Sequence, residues 1–282
     1  MNLIVQGFVL SAVYMLVSLG FGLLLSIANI FNFAHGAIYM VGGFITYGLA
    51  VNLGINQWLA LLASMGIMGV FGLGIERLAF RRFAGNNMSV LMVSIALIFI
   101  LQTTVNVTVG GFTRSLPPFV EGVLRIGSLS ISWQRITMLL VAVVLLILLT
   151  VLIRRTMIGM QMLAVAQDKL GATLQGISIQ RVSAIAMVLA CVLAALAGSM
   201  MASLLSLTVY MGDNVLFRAI QVVVIGGIGS VGGIAVGSLI IGFLDAILPI
   251  YMDAAVAQSV GLAIIIGVLL FRPRGLFGYE SS

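Results

Sequence analysis

The feature that most restricts this chain is its series of uncharged apolar runs, each long enough to cross a lipid bilayer. A hydrocarbon core of about 30 Å needs about 20 mostly apolar residues in a helix. Runs of that kind fall near 4–28, 36–54, 57–76, 88–108, 136–153, 182–207 and 256–271, with a longer one from 219 to 250. Hydrophobic residues make up 62% of the chain and charged ones only 7%, whereas soluble domains carry roughly 25% charged. Disorder requires few apolar residues and much charge, so it is excluded too. The expectation is an all-α polytopic membrane protein, one membrane domain over 1–282, with about 8–9 membrane segments.

The 219–250 run is too long for one helix. Gly226, Gly227, Gly229, Gly232 and Gly233 crowd its front, and glycines weaken a helix and invite a break. It is read as a short segment over 219–228 followed by a returning helix over 231–250. Irregular backbone at membrane depth survives only where it is buried in protein or lines a watery cavity.

Orientation follows from the basic residues. Arg77, Arg81 and Arg82; Arg154, Arg155, Lys169 and Arg181; and Arg272 with Arg274 form three clusters, which the positive-inside rule puts in the cytoplasm. Their acids are Glu76, Asp168 and Glu280, so the inner face carries 9 − 3 = +6. Arg114, Arg125, Arg135 and Arg218 are counted outside against Glu121, Asp213, Asp245 and Asp253, leaving that face neutral. Trp58 and Trp133 then fall at outer helix ends, where aromatic belts form. The amino terminus is outside and the carboxyl terminus cytoplasmic, provided that 219–250 bends back. Met1-Asn2-Leu3 has no basic n-region, so no cleavable signal peptide is read.

A weak parallel repeat accompanies this topology. A shift of 237 − 42 = 195 residues lays Gly42 on Gly237, Val41 on Val236 and Arg77 on Arg272. The first repeat covers about 4–82 and the second about 218–275, each with a polar or glycine break. Internal repeats with unwound segments in matching places are a transporter signature, and the breaks point to the pathway.

Several chemistries drop out. Cys191 is the only cysteine and His35 the only histidine, so neither an internal disulfide nor a zinc or haem site of the usual ligand count can be assembled. No metal, no cofactor and no nucleic-acid partner is expected, because the formal charge of +6 is distributed by membrane topology. No G-x-x-x-x-G-K-[ST] occurs, and Leu170 follows the only lysine, Lys169, so the chain has no phosphate-cradling loop. A G-x-S-x-G elbow and a carboxylate pair within a span are both missing, which counts against a membrane enzyme. Glu76 stands at an inner helix end and Asp245 a few residues from an outer one, near Pro249. Ion-coupled carriers usually need ionisable groups inside the membrane, so this rival loses ground.

Three stretches carry more than hydrophobicity. In the first, Asn29, Asn32, His35 and Gly36 interrupt an apolar sequence. Such polar groups must face protein, water or freed backbone; they either cap the following helix or border a route. In the second, Gly229, Gly233 and Gly237 lie on one helix face, flanked by Ser230 and Gly232. Bare backbone there serves close helix packing or a conduit, and the same two readings apply to Gly42 and Gly43. The third, 154–181, is too polar to span, with Ala164, Ala166, Asp168, Lys169, Ala172 and Gly176 among its residues. It is either an amphipathic surface helix or a docking element for a soluble partner. Outside, Leu124, Ile126, Leu129, Ile131 and Trp133 alternate with small or polar residues around Gly127-Ser128, which reads as a hairpin in the 109–135 loop.

These stretches resemble a known family. "NIFNFAHGAIYMVGG" over 29–43, "GMQMLAVAQDKLGATLQGIS" over 159–178, "GGIGSVGGIAVGSLIIGFLDAI" over 226–247 and "LLFRPRGLFG" over 269–278 are similar to motifs of branched-chain amino acid ABC transporter permeases, in the same order. The resemblance implies a permease subunit in the bacterial inner membrane, surrounded by lipid. Its implied companions are a second permease, two cytoplasmic ATP-binding subunits and a periplasmic substrate-binding protein. It also implies that 159–178 holds the coupling helix against the ATPase. Related loops commonly carry an arginine just ahead of the Ala-x-Ala, where this chain has Met162 and Leu163. Leucine, isoleucine and valine are the implied cargo, with urea, amides or aromatic acids carried by similar permeases. The residues expected to border the route are Asn29, Asn32, His35, Gly36, Gly42, Gly43, Gly229, Ser230, Gly232 and Gly233.

Overall fold

The computed structural model describes residues 2–28, 31–126, 129–272 and 275–277; Asn29, the Gly127-Ser128 turn, Arg274 and Glu280 lie outside them. α1 runs Asn2–Ala28, and after a short turn α2 runs His35–Tyr47 and continues as a π-helical turn over Gly48–Asn52. α3 is Gln57–Leu78, followed by a 3-10 turn at Phe80–Phe83, and α4 is Asn87–Val109. Two strands, β1 at Val123–Ile126 and β2 at Leu129–Ser132, precede α5 at Trp133–Arg155. Then come α6 (Met157–Gln167), α7 (Lys169–Leu174), α8 (Ile179–Ala202), α9 (Met211–Gly226), α10 (Val231–Tyr251) and α11 (Ala254–Phe271). Among the described residues, six helices are long and apolar enough to cross a membrane: those starting at Leu3, Gln57, Asn87, Trp133, Ile179 and Val231.

Burial orders these helices from inside out. Within the apolar window of α1, 83% of residues are buried, and in α8 78%, against 22% in α4 and α5. α1 and α8 are therefore the axis of the bundle, and α4 and α5 lie on its outside. A helix that is hydrophobic all round belongs in such a core.

The ends of the helices are stopped by their own side chains. Asn56, Asn86, Ser132, Thr156, Asp168, Ser178 and Ser230 each accept a hydrogen bond from a backbone N–H in the helix that follows, the usual way of satisfying first-turn donors. Asp168 has a second effect. It ends α6 and opens α7, with Oδ1 accepting from Leu170 N at 2.9 Å, so the 154–181 stretch is two short helices rather than one surface helix.

The expected hairpin forms, pairing Val123 with Ser132, Leu124 with Ile131 and Arg125 with Ser130. Arg114 and Leu207 exchange backbone bonds of 3.0 and 2.7 Å, and Gln134 Oε1 accepts from Phe119 N at 2.9 Å. Trp58 packs on Phe119 with ring centroids 5.1 Å apart.

The 219–250 run is broken where its glycines predicted, between Gly226 and Val231, with φ of 99° at Gly227 and 88° at Gly229. The segment before the break is longer than 219–228, because α9 begins at Met211. Asp213 in its first turn suits the positive end of the helix dipole and accepts from Gln102 Nε2 at 3.0 Å. Even so, its 16 residues reach only about 24 Å.

The C-terminal end of α9 is closed by a distant part of the chain. Leu276 N donates to Ile225 O at 2.7 Å and Phe277 N to Gly226 O at 3.1 Å, using carbonyls that a helix end leaves without partners. Gly275, at φ 77°, lies so close that an added Cβ would sit 2.7 Å from Val224 O. Leu276→Pro removes one donor, and we expect it to lower stability by about 1–3 kcal/mol, read as an earlier thermal transition of the detergent-solubilised protein.

Candidate translocation route and coupling loop

The first break is a buried, internally satisfied turn. Asn32 Oδ1 accepts from Ala34 N at 3.1 Å, and Asn32 O accepts from His35 N at 3.1 Å. Its Nδ2 rests 4.0 Å from Met187 Sδ. His35 is fully buried, with Nε2 3.2 Å from Val17 O. A carbonyl only accepts, so Nε2 carries the proton. Among the described residues, Nδ1 has no hydrogen-bond partner. A turn that includes the only imidazole is thus tied back onto α1 and α8.

Four of the predicted glycines stand where helices touch backbone to backbone. A Cβ on Gly36 would overlap Gly212 O of α9, one on Gly42 would overlap Ala195 of α8, and one on Gly233 would overlap Gly226 O across the break. At Gly43 it would fall 3.1 Å from Gly198 O. Close approach of this kind is what small residues at a membrane helix interface allow. Around Gly42 the contact is reinforced, since its carbonyl accepts from Ser64 Oγ at 2.9 Å, Thr46 Oγ1 at 3.1 Å and Ser199 Oγ at 3.3 Å.

The remaining predicted residues are more open. Gly232 has nothing within 4 Å of an added Cβ. Ser230 Oγ accepts from Gly233 N at 3.0 Å and caps α10. Gly229 lies against Ser26 of α1 and lines a small cavity of about 50 Å³ with Ser26, Ile27, Met162, Leu163 and Ala166. This cavity brings α6 of the coupling stretch to the α9–α10 break.

The loop residues divide by exposure. Met162, Val165 and Ala172 are buried, whereas Leu170 is 72% and Leu174 81% exposed. Asp168 is the cap between the two helices, and Lys169 Nζ donates to Ala28 O, the end of α1, at 3.4 Å. Ala164 and Ala166 lie on α6, and Gly176 follows α7 at φ 80°. Leu170 and Leu174 thus form an exposed apolar pair one helical turn apart on α7.

One feature was misplaced by sequence reasoning. Arg218 and Asp245, expected from the sequence among the outer-face charges, lie within helices, Arg218 in α9 and Asp245 in α10. They form an ion pair, Nε to Oδ2 at 2.8 Å, with side chains 15% and 16% exposed. Tyr14 OH of α1 donates to the same Oδ2 at 2.7 Å, and Arg218 Nη1 donates to Gln221 Oε1 at 2.9 Å. Asp245 sits six residues before the end of α10, about 9 Å from its C-terminal end. Ionisable groups are therefore largely buried within the helical bundle, so their absence no longer argues against an ion-coupled carrier.

The described residues thus form an apolar helical bundle with a glycine break between α9 and α10 and a short helix, α6, packed against that break. Residues 3–271 match the family model for the permease component of the branched-chain amino acid transport system, and the chain belongs to that family. It is 30% identical to the high-affinity branched-chain amino acid transport system permease protein LivH of Escherichia coli, over 97% of this chain and 94% of that protein. Identity to the corresponding protein BraD of Pseudomonas aeruginosa is 28%, over 98% and 94%. In fold the chain resembles one in the structure of PsaBC from Streptococcus pneumoniae in complex with Fab, at TM-score 0.50 and 13% identity, over 96% of this chain and 91% of that one.

Proposed function

We propose that this chain is the membrane permease of an ABC importer in the bacterial inner membrane, passing branched-chain or chemically similar amino acids. Its amino terminus is periplasmic and its carboxyl terminus cytoplasmic. ATP is hydrolysed by two cytoplasmic subunits, a paralogous permease completes the passage, and a periplasmic receptor selects and delivers the solute. The observation that carries this reading is the cavity shared by α6 and Gly229 against α1, together with the Lys169 bond to the end of α1. Motion imposed on α6 and α7 from the cytoplasm acts directly on the break.

The route itself runs past the Asn32–His35 turn and the break at Gly229, Ser230 and Gly232. Gly36, Gly42, Gly43 and Gly233 set how closely the helices forming its wall approach. Backbone carbonyls and amides freed at a break guide a zwitterion without holding it tightly. Selectivity therefore rests mainly with the receptor.

Coupling is tested in the complete importer, reconstituted with its receptor. Charge reversal, Asp168→Lys with Lys169→Asp, or the helix-breaking Ala172→Pro should leave membrane insertion intact. Receptor-stimulated ATP hydrolysis and uptake should both fall by tenfold or more. Stimulation equal to the parental level would overturn the assignment of this loop. Concentrative uptake by the chain alone, driven by an ion gradient, would overturn the whole reading.

A further inference from the structure

A groove lies between the inner end of α3 and the beginning of α8. It is lined by Leu73, Arg77, Arg81, Arg181, Ile185 and Val188 among others, and encloses roughly 590 Å³. Its charge is unbalanced. Glu76 is nearly fully buried and takes up Arg81 through two bonds, Nη2 to Oε2 at 2.8 Å and Nε to Oε1 at 3.2 Å. Arg77 and Arg181 are exposed, and among the described residues neither has a carboxylate within salt-bridge distance. Three arginines against one glutamate leave the rim at +2. The first turn of α8, capped by Ser178, adds the positive end of a helix dipole.

Below the rim the lining becomes apolar. Leu73 lies one turn deeper than Arg77, while Ile185 and Val188 lie four and seven residues beyond Arg181, about 6 and 10 Å along the helix. A soluble anion would fill only the rim, and a soluble protein would not follow the floor into hydrocarbon. A glycerophospholipid matches both parts, with a phosphate for the guanidinium groups and an acyl chain for the floor.

We propose that this groove is a binding site for an anionic phospholipid, its phosphate held by Arg77 and Arg181 and one acyl chain lying along Leu73, Ile185 and Val188. A choline headgroup brings a cation back to the arginines, so phosphatidylcholine is a poor occupant. The site requires only that α3 and α8 end at a membrane surface, whatever solute the permease carries.

Native mass spectrometry of the full chain released from nanodiscs of phosphatidylcholine with phosphatidylglycerol tests the assignment. The parental protein should retain phosphatidylglycerol over phosphatidylcholine. Arg77→Gln with Arg181→Gln should weaken that retention on the order of tenfold, while Arg154→Gln with Arg155→Gln, also exposed inner basic residues, leaves it unchanged. Glycerol 3-phosphate, which has the head but no tail, should not displace the lipid. Equal retention in the two variant pairs would overturn the proposal, as would displacement by glycerol 3-phosphate. Loss of the retained lipid on assembly with the ATP-binding subunits would assign the groove to a protein partner instead and equally overturn it.

Discussion

Asp245→Ala is expected to be among the most damaging single substitutions in the chain, costing about 3–5 kcal/mol by leaving a buried guanidinium without its counter-charge. Among the described residues Arg218 would keep only Gln221, and the Tyr14 hydroxyl would lose its acceptor. Three helices, α1, α9 and α10, meet at this carboxylate, so the loss is shared by the axis of the bundle and both arms of the break. The double change Arg218→Met with Asp245→Leu removes both charges and should recover much of the loss, since a buried pair is often no better than apolar residues of similar size. Thermal unfolding in detergent reads both variants. A double variant no more stable than Asp245→Ala would mean that the pair acts through something other than mutual neutralisation.

Gly233→Ala should be the second large effect, and Gly232→Ala its control. At Gly233 the new methyl would meet the carbonyl of Gly226, and backbone cannot swing aside as a side chain does. Overpacking of this kind costs about 1–3 kcal/mol. It would also force α9 and α10 apart where the break depends on their contact. At Gly232 the added methyl meets open space, and stability should hold. Transport separates roles that stability does not. A Gly232→Ala protein that folds as the parent but carries solute more slowly places this position on the route, whereas equal melting points for the two variants would contradict the packing described at Gly233.

Much of the architecture is legible in the sequence because lipid imposes a simple rule on length and charge. The runs at 57–76 and 88–108 became α3 and α4 to within a few residues. The break in 219–250 was visible because glycine lacks the Cβ that would oppose positive φ. The hairpin was visible because alternation of side chains has a period of two. The ion pair was hidden for a physical reason. A charge beside a span reads as a loop residue unless its partner is known, and Arg218 and Asp245 are brought together only by the fold. The division of the coupling stretch at Asp168 depends on one capping bond, and no periodicity announces that. Among the candidate route residues, the glycines were found by composition, but whether each one packs or stays open depends on the helix opposite.

The closure of α9 by Leu276 and Phe277 sets an order of events during biosynthesis. The donors to Ile225 and Gly226 come 51 residues later in the chain, with α10 and α11 in between. Until the chain has been made through Phe277, the C-terminal end of α9 stays unlatched, so a shortened chain would leave the last carbonyls of that helix without these donors.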